Sequence, residues 1–242
     1  MAEVFSNLKI IRYGIYLVYN KSTIGRWFLP GVILISSIIL LVVGVPRFLA
    51  ELMLVPGTQI YERILLGKQL NDEDLTVLEH SRLQALEFVK LPRAYTDLGT
   101  SYLARAQRAG SAVERLKYAE RAVELTTKGL ELAPLNTFAW SRLSLAHILL
   151  GSAHYEDALV TWRVSVSTAR YEPFLLIQRL HIGIILYQLM TLEDRELLND
   201  QFQLAYNWNR KKMRTYAREN QLMPWMAYFV REDAEAKNYF SS

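Results

Sequence analysis

Trp27 to Val45 reads WFLPGVILISSIILLVVGV, nineteen residues without a charge. At about 1.5 Å of rise per residue, a helix of that length covers roughly 28 Å, the thickness of the hydrocarbon core of a bilayer. The stretch predicts a single transmembrane helix. A buried core helix of a soluble protein is the competing reading, but such a helix usually carries a polar stripe, and here only Ser36, Ser37, Gly31 and Gly44 soften the run. A removable export signal is the second competitor. The long segment before the run, Met1 to Arg26, and its closing Val43-Gly44-Val45-Pro46-Arg47, which lacks a small-x-small cleavage site, argue instead for a retained anchor.

Working outward, the flanks predict an orientation. Lys9, Arg12, Lys21 and Arg26 precede the run against one acid, Glu3, a net +3, whereas Arg47 and Glu51 cancel just after it. The positive-inside rule places the N-terminus in the cytoplasm and the bulk of the chain outside, which in a bacterium means an inner-membrane protein with a periplasmic domain. Trp27 suits the inner interface and Arg47 the outer one. Lys9 to Tyr19, KIIRYGIYLVY, is too short to span and predicts an interfacial segment on the cytoplasmic leaflet. Asn20-Lys21-Ser22 fits the N-glycosylation pattern but faces the cytoplasm on this topology.

Beyond Val45 lie 197 of the 242 residues, enough for one domain with its own core. Of the net charge of +4 only +1 remains there, so the basic balance is a topology signal and nucleic acid is not an expected partner. The chain has no cysteine, which excludes disulfides, thiolate catalysis and thiolate metal sites.

No alternating run of β-branched residues is long enough for a strand, and the expected fold is all-α. A juxtamembrane linker spans 46–70, with a turn at Pro56-Gly57 and a helix over Thr58 to Leu70. Asn71 caps a new helix whose first turn holds Asp72, Glu73 and Asp74, acids that serve the helix dipole rather than a metal. The main domain covers 71–220, and 221–242 forms a tail whose aromatic half packs back while its polar half frays.

Within 71–220 a large-small-large spacing recurs. Tyr95, Leu98-Gly99 and Tyr102 are followed by Ala122, Gly129, Leu132 and Pro134; then Trp140, Leu143-Ser144, His147 and Gly151 are followed by Tyr155, Ala158 and Trp162. This resembles the tetratricopeptide repeat family, a 34-residue helix–turn–helix with W-x₂-L-G-x₂-Y, A-x₃-F and P. The second copy has two extra residues in its turn and Arg170 in place of proline; the first has tyrosine for tryptophan and an insertion of about eleven residues including Gly110. The resemblance covers Ala94 to about Tyr171 and implies an α-solenoid, with Leu75 to Val89 and Pro173 to Met190 as flanking helices. Pro173 to Met190 is apolar enough to suggest a second span, but Gln178, Arg179, His181 and Gln188 favour a buried helix. Thr191 to Asp194 predicts a capping box opening a long helix to about Asn220, acids first and bases last, as its dipole prefers.

No catalytic, phosphate-binding or zinc-peptidase motif occurs, so neither an enzyme nor a cofactor is expected. His147 and His154 stand on opposite sides of the Gly151 turn, and they, His80 and His181 read as packing or surface residues, so no metal ligand is expected. Trp208, Arg210, Lys211, Lys212, Arg214 and Arg218 form a basic-aromatic patch suited to acidic lipid or glycan.

The expected function is a non-enzymatic scaffold that binds protein partners of a membrane complex, with the bilayer engaged through Trp27 to Val45. The repeat resemblance implies a groove lined by Asp97, Ser101 and Arg105 from the first copy and Ser141, Arg142 and Leu145 from the second. The layout, one short anchor before a divergent repeat domain opening Leu91-Pro92-Arg93-Ala94-Tyr95, also looks like small membrane proteins encoded with bacterial exopolysaccharide synthesis machinery, which implies an accessory role in assembling or exporting a polysaccharide. The alternatives are an enzyme acting on an envelope glycan and a regulatory adaptor facing the cytoplasm.

Overall fold

The computed structural model describes residues Thr23 to Ser241 apart from Gln69 and Glu232, so the interfacial segment and the glycosylation pattern lie outside the described residues. The described residues are helical and contain no strand. The first helix, α1, runs unbroken over Thr23–Leu65 and holds Pro30, Pro46 and Pro56. It contains the one stretch among the described residues long and apolar enough to cross a membrane. Its side chains from Leu29 to Phe48 are bare: Leu40 is 72% and Phe48 67% exposed, so the chain's own fold does not bury them.

The expected turn at Pro56-Gly57 does not form. A proline inside a helix removes one backbone hydrogen bond and crowds the preceding turn, at a cost of about 3 kcal/mol. Tertiary packing outweighs that cost. Ala50, Leu54, Gly57 and Ile60 recur at helical spacing and are buried, with Ala50 and Leu54 in a core cluster beside Ala85, Leu91 and Ala94. A Cβ on Gly57 would sit 2.4 Å from the Arg82 guanidinium and 2.5 Å from Ser81 Oγ. Glycine is there for close approach of the next helix.

That helix, α2 (Asp72–Phe88), opens on the expected cap: Asn71 accepts from the Asp74 backbone and the Asp74 side chain returns the bond. It packs antiparallel to the end of α1, since Leu54 meets Arg82 while Arg63 meets Asp74. Next, α3 (Pro92–Arg108) and α4 (Ala112–Leu132) form a second antiparallel pair. Gly99 abuts Ala122 and Thr126, and Gly129 abuts Pro92 and Thr96. A third pair, α5 (Thr137–Leu150) and α6 (Tyr155–Thr168), is pinned by Thr137 Oγ1 donating to the Ser165 carbonyl at 2.8 Å and Ser144 Oγ donating to the Ala158 carbonyl at 2.7 Å.

The apolar segment after Pro173 makes a shorter helix than expected, α7 (Leu176–Leu186), and it is buried within the domain. Arg179 is fully buried on it. Its guanidinium donates to the Ala169 carbonyl at 2.8 Å, Ser165 Oγ at 3.0 Å, the Ser165 carbonyl and Thr137 Oγ1. Those carbonyls end α6, where the helix dipole favours a cation. Burial nonetheless lowers the Arg179 pKa to about 10. Trp162, also fully buried, donates its indole N–H to the Arg179 carbonyl at 2.9 Å.

The capping box at Thr191 and Asp194 opens α8 (Leu192–Glu219), but Asn209 interrupts that helix with φ −159° and ψ 78°. Asn209 Oδ1 accepts from the Lys212 backbone and restarts the helix. Arg210, Lys211 and Lys212 therefore stand at the positive end of a second segment, the reverse of the expected dipole arrangement. The tail does not fray over the described residues. In α9 (Met223–Phe229) and α10 (Ala234–Ser241), Met226, Ala236 and Phe240 join the core formed by α6, α7 and α8.

Candidate functional site

A cavity of about 480 Å³ opens where the end of α1 meets α3, α5 and the start of α7. Its walls are Leu65 and Leu66 from the α1 end, Leu103 and Ala104 from α3, Phe138 and Leu145 from α5, and Phe174 before α7, with polar groups from Glu62, Thr100, Gln107, Arg142 and Gln178. Leu66 is 67% and Phe174 76% exposed at its rim. Apolar walls with a few placed polar groups are the usual make-up of a binding groove.

Arg142 is its main polar feature. The guanidinium donates to the Tyr61 hydroxyl at 2.8 Å and Thr100 Oγ1 at 2.9 Å, and stands 5.4 Å from the centre of the Tyr61 ring. Both hydrogen-bond acceptors are neutral hydroxyls. The arrangement holds the fork of α5 against α1 and α3; Arg142 is 9% exposed, and its charge is one of those that oppose the upward shift of the Asp97 carboxyl.

Of the groove residues expected from the repeat resemblance, Arg142 and Leu145 line this cavity. Asp97 is 1% exposed and bound to Arg82, whose Nε and Nη2 donate to its Oδ2 at 3.0 and 2.9 Å. Ser101 and Arg105 both donate to Glu79 of α2 at 2.7 Å. Ser141 is buried and its Oγ has no hydrogen-bond partner. The reason is helical phase. Thr100, Leu103, Ala104 and Gln107 form the cavity stripe of α3; 97, 101 and 105 are displaced from it by one residue, about 100° around the helix, and so face α2.

The Arg82–Asp97 pair ties three helices together. Arg82 also donates to the Leu54 carbonyl of α1 at 2.6 Å and to Ser81 Oγ at 3.1 Å. Burial pushes the Asp97 carboxyl up despite Arg82, and pushes the Arg82 guanidinium down despite Asp97. Desolvation exceeds attraction at both ends, as is common for ion pairs taken out of water.

The basic-aromatic patch is partly consumed by packing. Arg210 and Arg214 lie over the Tyr239 ring at 5.2 and 5.0 Å, Lys212 lies 5.2 Å from the Trp208 ring, and Arg210 pairs with Glu235 at 3.7 Å. Lys211 and Arg218 are exposed.

Comparison with protein-family models, with curated proteins and with solved structures gives no match. One arrangement across the Gly151 turn escapes the linear reading altogether: the His147 and His154 rings stack with their centroids 6.2 Å apart.

Proposed function

We propose that this chain is a single-pass, membrane-anchored helical adaptor of the bacterial envelope that holds a segment of a partner protein in the groove beside Arg142. One observation carries the reading. The helix whose surface is bare and apolar from Leu29 to Val45 is the same helix that supplies Glu62, Ile64 and Leu65 to the groove wall. Ala50 is fully buried only five residues after Val45, a helical rise of about 7.5 Å. With the apolar run in a bilayer, the domain stands directly on the membrane surface, its groove held at a set height by α1.

The charges before Trp27 support a cytoplasmic N-terminus and a periplasmic domain. Successive antiparallel pairs closed by Gly57, by Gly99 with Gly129, and by Ser144 support stacking of the tetratricopeptide type, in which the first helix of each pair lines the concave side. The groove suits a peptide that places apolar side chains against Leu103, Leu145 and Phe174 and an acceptor oxygen on Arg142. An accessory role beside exopolysaccharide machinery rests on the layout of anchor and domain.

Photo-crosslinking in intact membranes tests the proposal. A photoreactive residue at Leu145 or Phe174 is expected to give a discrete protein adduct, whereas one at Val113 or Val160, exposed outside the groove, is not. Adducts from Val113 and Val160 alone would refute the groove. A reporter active only in the periplasm, fused after Ser242, is expected to be active; an inactive one reverses the topology.

A further inference from the structure

The turn between α5 and α6 brings together metal-ligating side chains that are not part of the groove lining. Gly151 adopts φ 106°, a region closed to ordinary side chains, and the following 3₁₀ turn, Ser152–His154, places the His154 ring on that of His147 with an interplanar angle of 24°. Asp157 enters from the first turn of α6, its Oδ2 lying 3.4 Å from His154 Nδ1. One ligand atom from each of His147, His154 and Asp157 lies within 4.8 Å of the other two.

A second observation points at a ligand. His147 Nδ1 is buried and has no hydrogen-bond partner, whereas buried ring nitrogens ordinarily find one.

We propose that His147, His154 and Asp157 form a binding site for a divalent transition-metal ion of the zinc class, which clips α5 to α6. Two imidazoles and one carboxylate suit zinc, leaving a fourth position for water. Calcium and magnesium prefer oxygen-rich sites, and this one offers a single carboxylate. Tetrahedral bonds of about 2.0–2.2 Å place ligand atoms roughly 3.3–3.6 Å apart, so a cluster whose ligand atoms lie within 4.8 Å of one another must contract by up to about 1.5 Å. His154 and Asp157 supply that movement, their side chains being 45% and 62% exposed on a turn and a first helical turn.

The test uses the full chain in detergent, purified without a polyhistidine tag and stripped with a chelator, then titrated with Zn²⁺ by calorimetry and with Co²⁺ by visible absorption. The expected result is one ion per chain, the absorption of a four-coordinate cobalt, and a raised melting temperature. His154→Ala and Asp157→Ala each weaken binding by at least about tenfold, while His80→Ala binds as the parent does. His154 is half-exposed and Asp157 exposed, and circular dichroism verifies that the variants fold. Absence of stoichiometric binding, or parental affinity in His154→Ala and Asp157→Ala, overturns the proposal.

Discussion

Asp97→Ala is expected to destabilise the domain severely. Its carboxylate and the Arg82 side chain are 1% and 0% exposed. Removing it strands a buried guanidinium that retains only the Leu54 carbonyl and Ser81 Oγ, with Arg93 having stood 3.7 Å from the same carboxylate. Breaking a buried ion pair from one side costs about 3–5 kcal/mol. For a domain of this size, 1 kcal/mol moves the melting temperature by roughly 2–4 °C, so the expected fall is roughly 6–20 °C. The companion variant is Arg82→Met with Asp97→Leu. There the Leu54 carbonyl keeps Thr58 Oγ1 at 3.0 Å, and Ser81 Oγ still donates to the Leu78 carbonyl at 2.8 Å. Neither polar group is orphaned, and replacing a buried pair with packed apolar residues is neutral or stabilising by about 1–4 kcal/mol. Thermal melts in detergent, followed by the near-ultraviolet signal, to which Trp140, Trp162, Trp208 and Trp225 of the domain contribute, separate the two variants. A double variant as unstable as Asp97→Ala would falsify the reasoning, because the loss would then come from the pair's own strength.

Three further outcomes follow from particular contacts. Burial lowers the pKa of His181, whose Nδ1 is 2.7 Å from the Tyr216 hydroxyl, so the unfolded chain takes up this proton first on acidification. Its contribution to stability is full above the ordinary value of 6.5 and is lost as pH falls through the lower folded value; the melting-temperature gap between parent and His181→Gln should narrow over that range, and a constant gap refutes it. Gly129→Ala, whose new Cβ would lie 3.0 Å from the Pro92 carbonyl and 3.1 Å from the Thr96 nitrogen, should lose about 1–3 kcal/mol, while Gly110→Ala, with nothing within 4 Å, should lose none, as denaturant midpoints will report. Trp162→Ala should lose about 3–5 kcal/mol in the same assay, since a fully buried ring leaves a cavity.

The parts of this fold that were legible in sequence are those set by chemistry within a few residues. The Asn71–Asp74 and Thr191–Asp194 boxes need only a cap residue and its partner three positions on. The bare run from Leu29 and the small residues at Gly99 and Gly129 were likewise visible. What escaped depends on partners distant in the chain. Pro56-Gly57 carries a turn signal, but the glycine answers to Arg82. Ala50, Leu54, Gly57 and Ile60 held the opposing signal, a stripe at helical spacing. The cavity takes Arg142 and Leu145 from α5 but Thr100, Leu103, Ala104 and Gln107 from α3 instead of Asp97, Ser101 and Arg105, because spacing between repeats carries no rotational phase. Ala236 and Phe240, four apart, marked the packed face of a tail that its charges made look frayed. His147 and His154 meet through the φ of one glycine, which their separation in sequence does not encode.

On the proposed membrane anchoring, the unbroken α1 makes the apolar run and the groove two ends of one shaft. Each residue of a helix advances about 1.5 Å and turns about 100°. A single alanine inserted between Arg47 and Ala50 would barely lift the domain, yet would swing the groove by more than a quarter turn about the membrane normal. Seven inserted residues return the bearing to within about 20° while raising it by roughly 10 Å. Partner capture across such an insertion series should thus oscillate with helical period if the partner is itself fixed in the membrane, and decay smoothly with height if it diffuses freely above it. The shaft turns a question of affinity into one of compass bearing.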